Sequence, residues 1–426
     1  VITQIAEKQG ENVMADDIAK RGLEMFSRRF SELPENFISV LLSASYCSRK
    51  SKRIFLDEGI HGKLHRYTAS VASNPHVRYT FDRVQEKEYR KNFYATSEIP
   101  ESRRKSGHLE RAQLHILFLA PFGFGKTSTF DSLDDSYILK RITPASIMGT
   151  ITRDGDFAQG VSQKAAGKFV VFDEIQNSSS DSRDAMLAML EEQTFSRSLG
   201  YVVKTPIEMN MKKKEFEKKH WSVSAQNCDF SVRSVFSACC TGLESMSSFL
   251  RSSRNENTSA WLSRLVPVIM KGSADEAYRI RRGELCFSFY KNIKPYEHQM
   301  YFKDYIKAVD MHEQYLKTLP FASFFEGDKA GILTRNVGDT VRLAAYFCAC
   351  ENRSEITLED FNMALSFQPI TLYNMIASYL TRLEYDILSQ LLFGREASKI
   401  AESLSCTVQH VYDTKQKLLN TRLMTE

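Results

Sequence analysis

Leu114–Ser128 reads LHILFLAPFGFGKTS, an apolar run that breaks into small residues and then into a lysine followed by two hydroxyls. That order predicts a buried strand, a phosphate-binding loop and a helix. Backbone N–H groups of such a loop close around phosphate oxygens, and the helix behind it points the positive end of its dipole at the same anion. The candidate loop is Ala120, Pro121, Phe122, Gly123, Phe124, Gly125, Lys126, Thr127 and Ser128. Lys126 would reach the β- and γ-phosphates, and Thr127 offers a hydroxyl to a nucleotide-bound magnesium ion. Ala120 stands where the pattern G-x-x-x-x-G-K-[ST] begins with glycine, but Gly123 and Gly125 keep the part that approaches the phosphates. Further along, Lys168–Ile175 (KFVVFDEI) is a second apolar strand ending in adjacent acids. Asp173 is read as a magnesium ligand acting through water, and Glu174 as the group that polarises the attacking water. Either motif alone is often an ordinary turn. Together, in strand context, they predict transfer of a phosphoryl group from ATP to water.

The elements that must hold these residues lie between positions 111 and 272. Leu114–Ala120, Phe169–Phe172, Ser234–Cys240 and Leu265–Met270 are near-continuous apolar strands separated by long connections. Such strands imply a parallel sheet covered on both faces, with ligands outside the carboxyl ends. The third strand ends at Thr241, a polar group that could align a water beside Glu174; a turn residue is the plainer alternative, and the assignment rests on order along the chain. Trp261–Val266 (WLSRLV) puts Arg264 immediately before the last strand, where a guanidinium could serve a neighbouring subunit's nucleotide; a surface salt bridge is the plainer alternative. The gap from Asp173 to Thr241 exceeds one crossover helix. It holds the helix Asp184–Glu192, a strand at Ser196–Val203 and the run MNMKKKEFEKKHW. Lys212, Lys213, Lys214, Lys218 and Lys219 in that run suit either a phosphate backbone or simple solvation.

On either side of this core the periodicity is helical. Residues 1–110 read as a mainly helical amino-terminal region with helices at Ile18–Phe30 and Phe37–Tyr46 and a linker near Glu98–Gly107. Residues 273–366 read as a helical lid containing Leu333–Cys350 and Leu358–Ser366. Arg335 and Arg342 share one face of the first of these, and Arg335, near the helix start, is the better candidate for a phosphate sensor. Residues 367–426 contain Arg382–Phe393, Glu396–Ser403 and Thr407–Asn420, the pattern of a helix-turn-helix. Its expected core side is Val408, Val411 and Leu418–Leu419, leaving Gln409, His410, Lys415 and Gln416 toward solvent or DNA. A three-helix cap without DNA contacts is the alternative.

Composition bounds rather than decides the function. The 426 residues suffice for two to four domains, and 57 basic against 52 acidic residues leave +5, so net charge dictates no partner. The 8 cysteines show no C-x-x-C spacing, which predicts reduced core residues rather than a zinc site. No apolar run reaches the length of a membrane span. The expectation is a soluble intracellular protein, cytoplasmic and nucleoid-associated or nuclear.

The order APFGFGKT, VVFDEI, LEEQTFSRSLGYVV, a sensor strand, WLSRL and TRNVGDTVRLAAYFCA resembles the AAA+ ATPases. Within them it is most similar to the branch with a hairpin before sensor 1, especially the minichromosome maintenance (MCM) replicative helicases. The resemblance implies an α/β fold: an AAA+ core of parallel sheet flanked by helices, a helical lid, and a carboxyl-terminal winged-helix or helix-turn-helix domain. It further implies ATP and magnesium as cofactors, DNA as partner and a homo-oligomeric ring, a hexamer in that family. Lys126, Thr127, Asp173 and Glu174 would then act in cis, Thr241 as sensor 1, Arg264 as a finger in trans, and Arg335 as sensor 2. The implied activity is an ATP-dependent DNA translocase or helicase. The alternative is a DNA-bound initiator, helicase loader or transcription regulator that does not translocate. The amino-terminal part departs from the family in having no zinc-binding cysteine set.

Overall fold

The computed structural model describes residues 35–51, 53–57, 107–121, 124, 130, 133, 135–151, 157–165, 167–191, 194–198, 227–231, 235–241, 261–262, 264–269, 278–279, 281–282, 299–319, 322–325, 330–392 and 394–420. The fold is mixed α/β with small parallel sheets and many helices. It divides into two compact units, residues 1–114 with 288–426, and residues 115–287. No described helix is long and apolar enough to cross a membrane.

Among the described residues the first element of the discontinuous unit is α1 (Glu35–Cys47), the helix expected near Phe37–Tyr46; the helix expected at Ile18–Phe30 lies outside them. Leu41, Leu42 and Ala44 are buried on it, and Ser45 Oγ donates to the Leu114 carbonyl at 2.7 Å. Two short strands follow, β1 (Ile54–Asp57) and β2 (Gly107–Glu110), paired antiparallel with Ile54 opposite Glu110.

The contiguous unit holds β3 (Ile116–Ala120), β4 (Ser136–Leu139), the short helix α2 (Pro144–Met148), the small ladder β5 (Thr150–Ile151) with β6 (Phe157–Ala158), and α3 (Val161–Lys164). Then come β7 (Phe169–Phe172), α4 (Ser180–Glu191), the antiparallel pair β8 (Thr194–Ser198) and β9 (Asn227–Ser231), β10 (Val235–Thr241) and β11 (Val266–Ile269). Five of these strands form one fully parallel sheet in the order β11-β3-β10-β7-β4. Side chains of β3, β7 and β11 are buried throughout, as a sheet covered on both faces requires. Phe130, just after the loop, packs edge-on against Phe118 of β3 and stacks on Phe169 of β7 at 5.6 Å. That aromatic triplet ties the segment after the loop to the sheet. The edge strand β4 is an addition to the four strands expected from sequence. SYIL is half-exposed along its whole length, so it lacks the continuous apolar signal of its neighbours.

The chain then returns to the first unit with β12 (Met300–Phe302), α5 (Tyr305–Lys317), α6 (Ala330–Cys350), β13 (Glu355–Ile356), α7 (Leu358–Leu365) and α8 (Gln368–Ala377). Here too the structure adds strands where the sequence predicts only helices. β12 and β13 join β1 and β2 in a sheet of order β13-β12-β1-β2, with β1 parallel to β12. The helix α7 starts where expected, because Thr357 and Asp360 form a reciprocal capping box and Arg353 pairs with Asp360 at 2.6 Å.

Three further helices, α9 (Arg382–Leu392), α10 (Ala397–Ser403) and α11 (Val408–Asn420), complete the described chain within a residue or two of expectation. Ile387, Ile400, Ala401 and Val411 form their core, with Leu383, Leu391, Ala397, Leu404 and Cys406 packed around it. The turn between α10 and α11 is tight. Ser405 takes a left-handed backbone, φ 53°, and Cys406 N–H donates to the Ala401 carbonyl at 3.0 Å. One expectation fails here: Val408 is 41 % exposed rather than in the core, since the buried stripe of α11 runs through Val411, Thr414 and Leu418. Leu419, also expected inside, is half-buried.

Candidate nucleotide-binding site

The strand order decides where a ligand can sit in the contiguous unit. From β3 the chain crosses to the β4 edge, comes back through β7 and β10, and passes over β3 to reach β11. Right-handed crossovers put connections that run in opposite directions on opposite faces. The direction of travel reverses between β3 and β10, and in open parallel sheets ligands sit outside the carboxyl ends of the strands at such a reversal.

The sequence-predicted residues distribute around that rim as follows. Ala120 closes β3 and is the register partner of Thr241, the last residue of β10. Ala120 is buried, Pro121 half-buried and Phe124 only 5 % exposed. Phe122, Gly123, Gly125, Lys126, Thr127 and Ser128 lie outside the described residues. On the far side of β10, β7 ends with Phe172 level with Ala238, three positions short of Thr241. The acids after β7 thus turn off one strand away from Thr241 and two from Ala120. Neighbouring strands are about 4.8 Å apart, so the loop base and the acids are separated by roughly 10 Å across the sheet.

Asp173 is half-buried and Glu174 exposed. The Asp173 N–H donates to the Leu139 carbonyl of β4 at 3.2 Å, which continues the β7–β4 ladder one step past the strand. At Glu174 the backbone reverses into the left-handed region, φ 52° and ψ 51°, an uncommon conformation for a residue with a long side chain. A single 3₁₀ turn, Ile175–Asn177, follows. Asn177 N–H donates to the Glu174 carbonyl at 2.9 Å, and its side-chain Nδ2 donates to Glu174 Oε2 at 3.0 Å. Ser178 Oγ donates to the Ile175 carbonyl at 2.7 Å, and Arg183 Nε donates to the Ser178 carbonyl at 3.2 Å, fixing the turn to α4. Asn177 was not singled out from sequence. Its separation of three residues from Glu174, one 3₁₀ turn, is the signal that could have found it.

The donor chemistry fits a hard divalent cation shared with a nucleotide. Among the described residues no group of three or more His, Cys, Asp or Glu side chains could hold a metal alone. Magnesium typically takes one or two carboxylates and completes its shell with water and phosphate oxygens, and Asp173 offers one such carboxylate.

Other predicted residues stand elsewhere. Arg264 precedes β11, whose Val266 pairs with Ile116 at the start of β3. It therefore lies at the amino-terminal rim, two residues before a position that is itself about 13 Å along the strands from Ala120. Its own N–H and that of Leu265 both donate to the Trp261 carbonyl at 3.0 Å, a turn anchored by the buried Trp261 and Leu262. Arg335 belongs to the other unit, half-buried in the second turn of α6. Arg342, weighed beside it, is 6 % exposed and committed: Nη1 pairs with Asp339 at 2.5 Å, Nε donates to the Arg111 carbonyl at 3.0 Å, and Nη2 pairs with Glu110 of β2. It is a structural arginine. On α11, Gln409 is exposed and donates to Asp413 at 2.8 Å, and Lys415 is half-buried. Lys212, Lys213, Lys214, Lys218 and Lys219 lie outside the described residues, between β8 and β9.

No protein-family model matches the chain, and no curated protein does. Among solved structures it is similar to a full-length MCM homolog from Methanopyrus kandleri, at 12 % identity and a TM-score of 0.44. The superposition covers 86 % of this chain and 63 % of that one, so this chain spans less than two thirds of that protein's length. Overlap at that level says nothing of activity.

Proposed function

We propose that the chain is an AAA+-type ATPase that couples ATP hydrolysis to movement on DNA, as a translocase or helicase. One observation carries the reading. The parallel sheet brings the end of β3, where the phosphate-loop motif begins, beside Thr241, with Asp173 and Glu174 one strand further on, all at the carboxyl edge of the sheet. In this reading backbone N–H groups of the loop and Lys126 hold the triphosphate, while Thr127 and Asp173 hold magnesium. Magnesium, when bound, neutralises charge on the β- and γ-oxygens. Glu174 orients the attacking water and Thr241 steadies it from the next strand. Arg264, at the opposite rim of the sheet, is proposed to serve a neighbouring copy's nucleotide in a ring. Arg335 is proposed as the lid's phosphate sensor.

DNA would be met at two places, the lysine-rich segment and the open side of α11 with Gln409 and Lys415. The domain boundaries proposed for this function are 1–110, 111–272, 273–366 and 367–426. The test is ATP turnover with and without forked DNA. Lys126→Ala abolishes turnover, and replacing Lys212–Lys214 by alanine leaves basal turnover intact but removes stimulation by DNA. Stimulation that survives the triple replacement removes the lysine segment from the mechanism.

A second reading is supported by the three-helix carboxyl-terminal bundle, whose α11 leaves Val408 and Tyr412 exposed at 41 % and 56 %. Apolar side chains on an open recognition helix can contact thymine methyl groups. In that reading the chain is a DNA-bound switch that stays at one site. A footprint on one duplex sequence without strand displacement selects it.

A further inference from the structure

Resting on the ATPase reading, we propose that Asn177 is a positioning residue for Glu174, fixing one carboxylate oxygen so that the other is presented to the attacking water. The contact is direct, Nδ2 to Oε2 at 3.0 Å, and leaves Oε1 outside it. Among the described residues only three non-glycine residues have positive φ, Glu174, Asn352 and Ser405. Glu174 is the one with a long, mobile side chain, so the backbone there is held by its surroundings rather than by preference. Those surroundings are the turn just described: the Asp173 N–H on Leu139, the Asn177 N–H on the Glu174 carbonyl, and Ser178 closing on Ile175. They aim the Cα–Cβ bond of Glu174 but leave its side-chain torsions free. Asn177 supplies the missing restraint. An exposed glutamate otherwise samples several rotamers, and a base is useful only in the fraction of time that it faces the water.

An amide suits the task better than a charged donor. It restrains the carboxylate without neutralising it, so Glu174 keeps its full capacity to accept from water. Asn177 touches no phosphate in this scheme, which separates it from residues that bind nucleotide.

The experiment compares steady-state ATP turnover of the full chain with Asn177→Asp, Asn177→Ala and Asn177→Gln. Asp matches Asn in shape but replaces the donor by a second negative charge beside Glu174. Expected are a fall in kcat of about 10-fold for Ala and about 100-fold or more for Asp, since mispositioning a base costs part of its typical 10²–10⁴-fold contribution. KM for ATP stays within about 2-fold of the unsubstituted chain, because binding is untouched. Gln, with the same amide on one more methylene, recovers part of the loss. An unchanged or raised kcat in Ala and Asp, or a change carried by KM, overturns the assignment. So does a fall in kcat matched by a lower melting temperature in all three variants, which marks Asn177 as a support of the turn alone. If the unsubstituted chain binds and cleaves no ATP, the ATPase reading falls and this proposal with it. Turnover in the unsubstituted chain with indifferent Asn177 variants removes this proposal only.

Discussion

Two polar clusters in this chain are built from similar residues and come to opposite ends. Around Arg342 on α6, the guanidinium is 6 % exposed, Asp339 3 %, and the remaining donors go to Glu110 and the Arg111 carbonyl. Every strong partner there is internal. At the end of β7, Glu174 is exposed and its Oε2 accepts from the Asn177 amide at the surface of the contiguous unit. Around Arg342, Asp339 and Glu110 offset the buried charge, although Asp339 Oδ2 makes no hydrogen bond, and the cluster is closed to solvent. An exposed carboxylate on a strained, well-anchored turn keeps its lone pairs available. Chemistry is therefore expected at the second cluster and stability at the first.

Substitutions that separate the two properties test this contrast. Glu174→Gln keeps size and hydrogen-bonding capacity but removes the base; turnover should fall by about 10²–10⁴-fold with no change in the thermal midpoint. Parallel loss of folding would place Glu174 with the structural cluster. Arg342→Ala should do the reverse, lowering unfolding free energy by about 3–5 kcal/mol in denaturant titrations, because Asp339 is left as an uncompensated buried charge. A loss under about 1 kcal/mol would mean that the cluster relaxes into water.

A second buried polar group, in the same unit as Arg342, gives a pH signature. His312 of α5 is 2 % exposed and shares a hydrogen bond with Asn336 of α6 at 2.9 Å. Burial pushes its imidazole down to about 4, against the opposing pull of that hydrogen bond. Between that value and the unfolded value near 6.5, the unfolded chain binds more protons than the folded one. Stability from this group is thus complete above about pH 6.5 and lost as pH falls toward 4, by up to ~3 kcal/mol. His312→Gln should flatten that part of the stability profile, as read by urea midpoints across the range.

How much of this was visible in the residues themselves depends on how local each signal is. Phe169–Phe172 and α9 to α11 match expectation within a residue or two, because continuous apolar runs and helical periodicity are written into adjacent positions. The sheet β13-β12-β1-β2 could not be read that way. Its strands are two to four residues long, lie far apart in sequence, and acquire strand character only by pairing. The helix α8 escaped for another reason: it is buried on all sides, with Leu372, Tyr373, Met375 and Ile376 in succession, so it shows no amphipathic period. At the candidate site, the strand ends and the acid pair were legible, but the left-handed turn at Glu174 was not, and without that turn the three-residue spacing to Asn177 had no meaning. Both depend on backbone angles that side-chain chemistry does not announce.

The parallel ladder between β1 and β12 joins residue 54 to residue 300, with the whole of residues 115–287 looped out between them. As the nascent polypeptide leaves the ribosome, the five-stranded sheet is complete once position 269 has emerged, whereas β1 must wait for a mate still to be translated. That unit is thereby the first part able to mature, before the chain segments on either side of it can pair with each other.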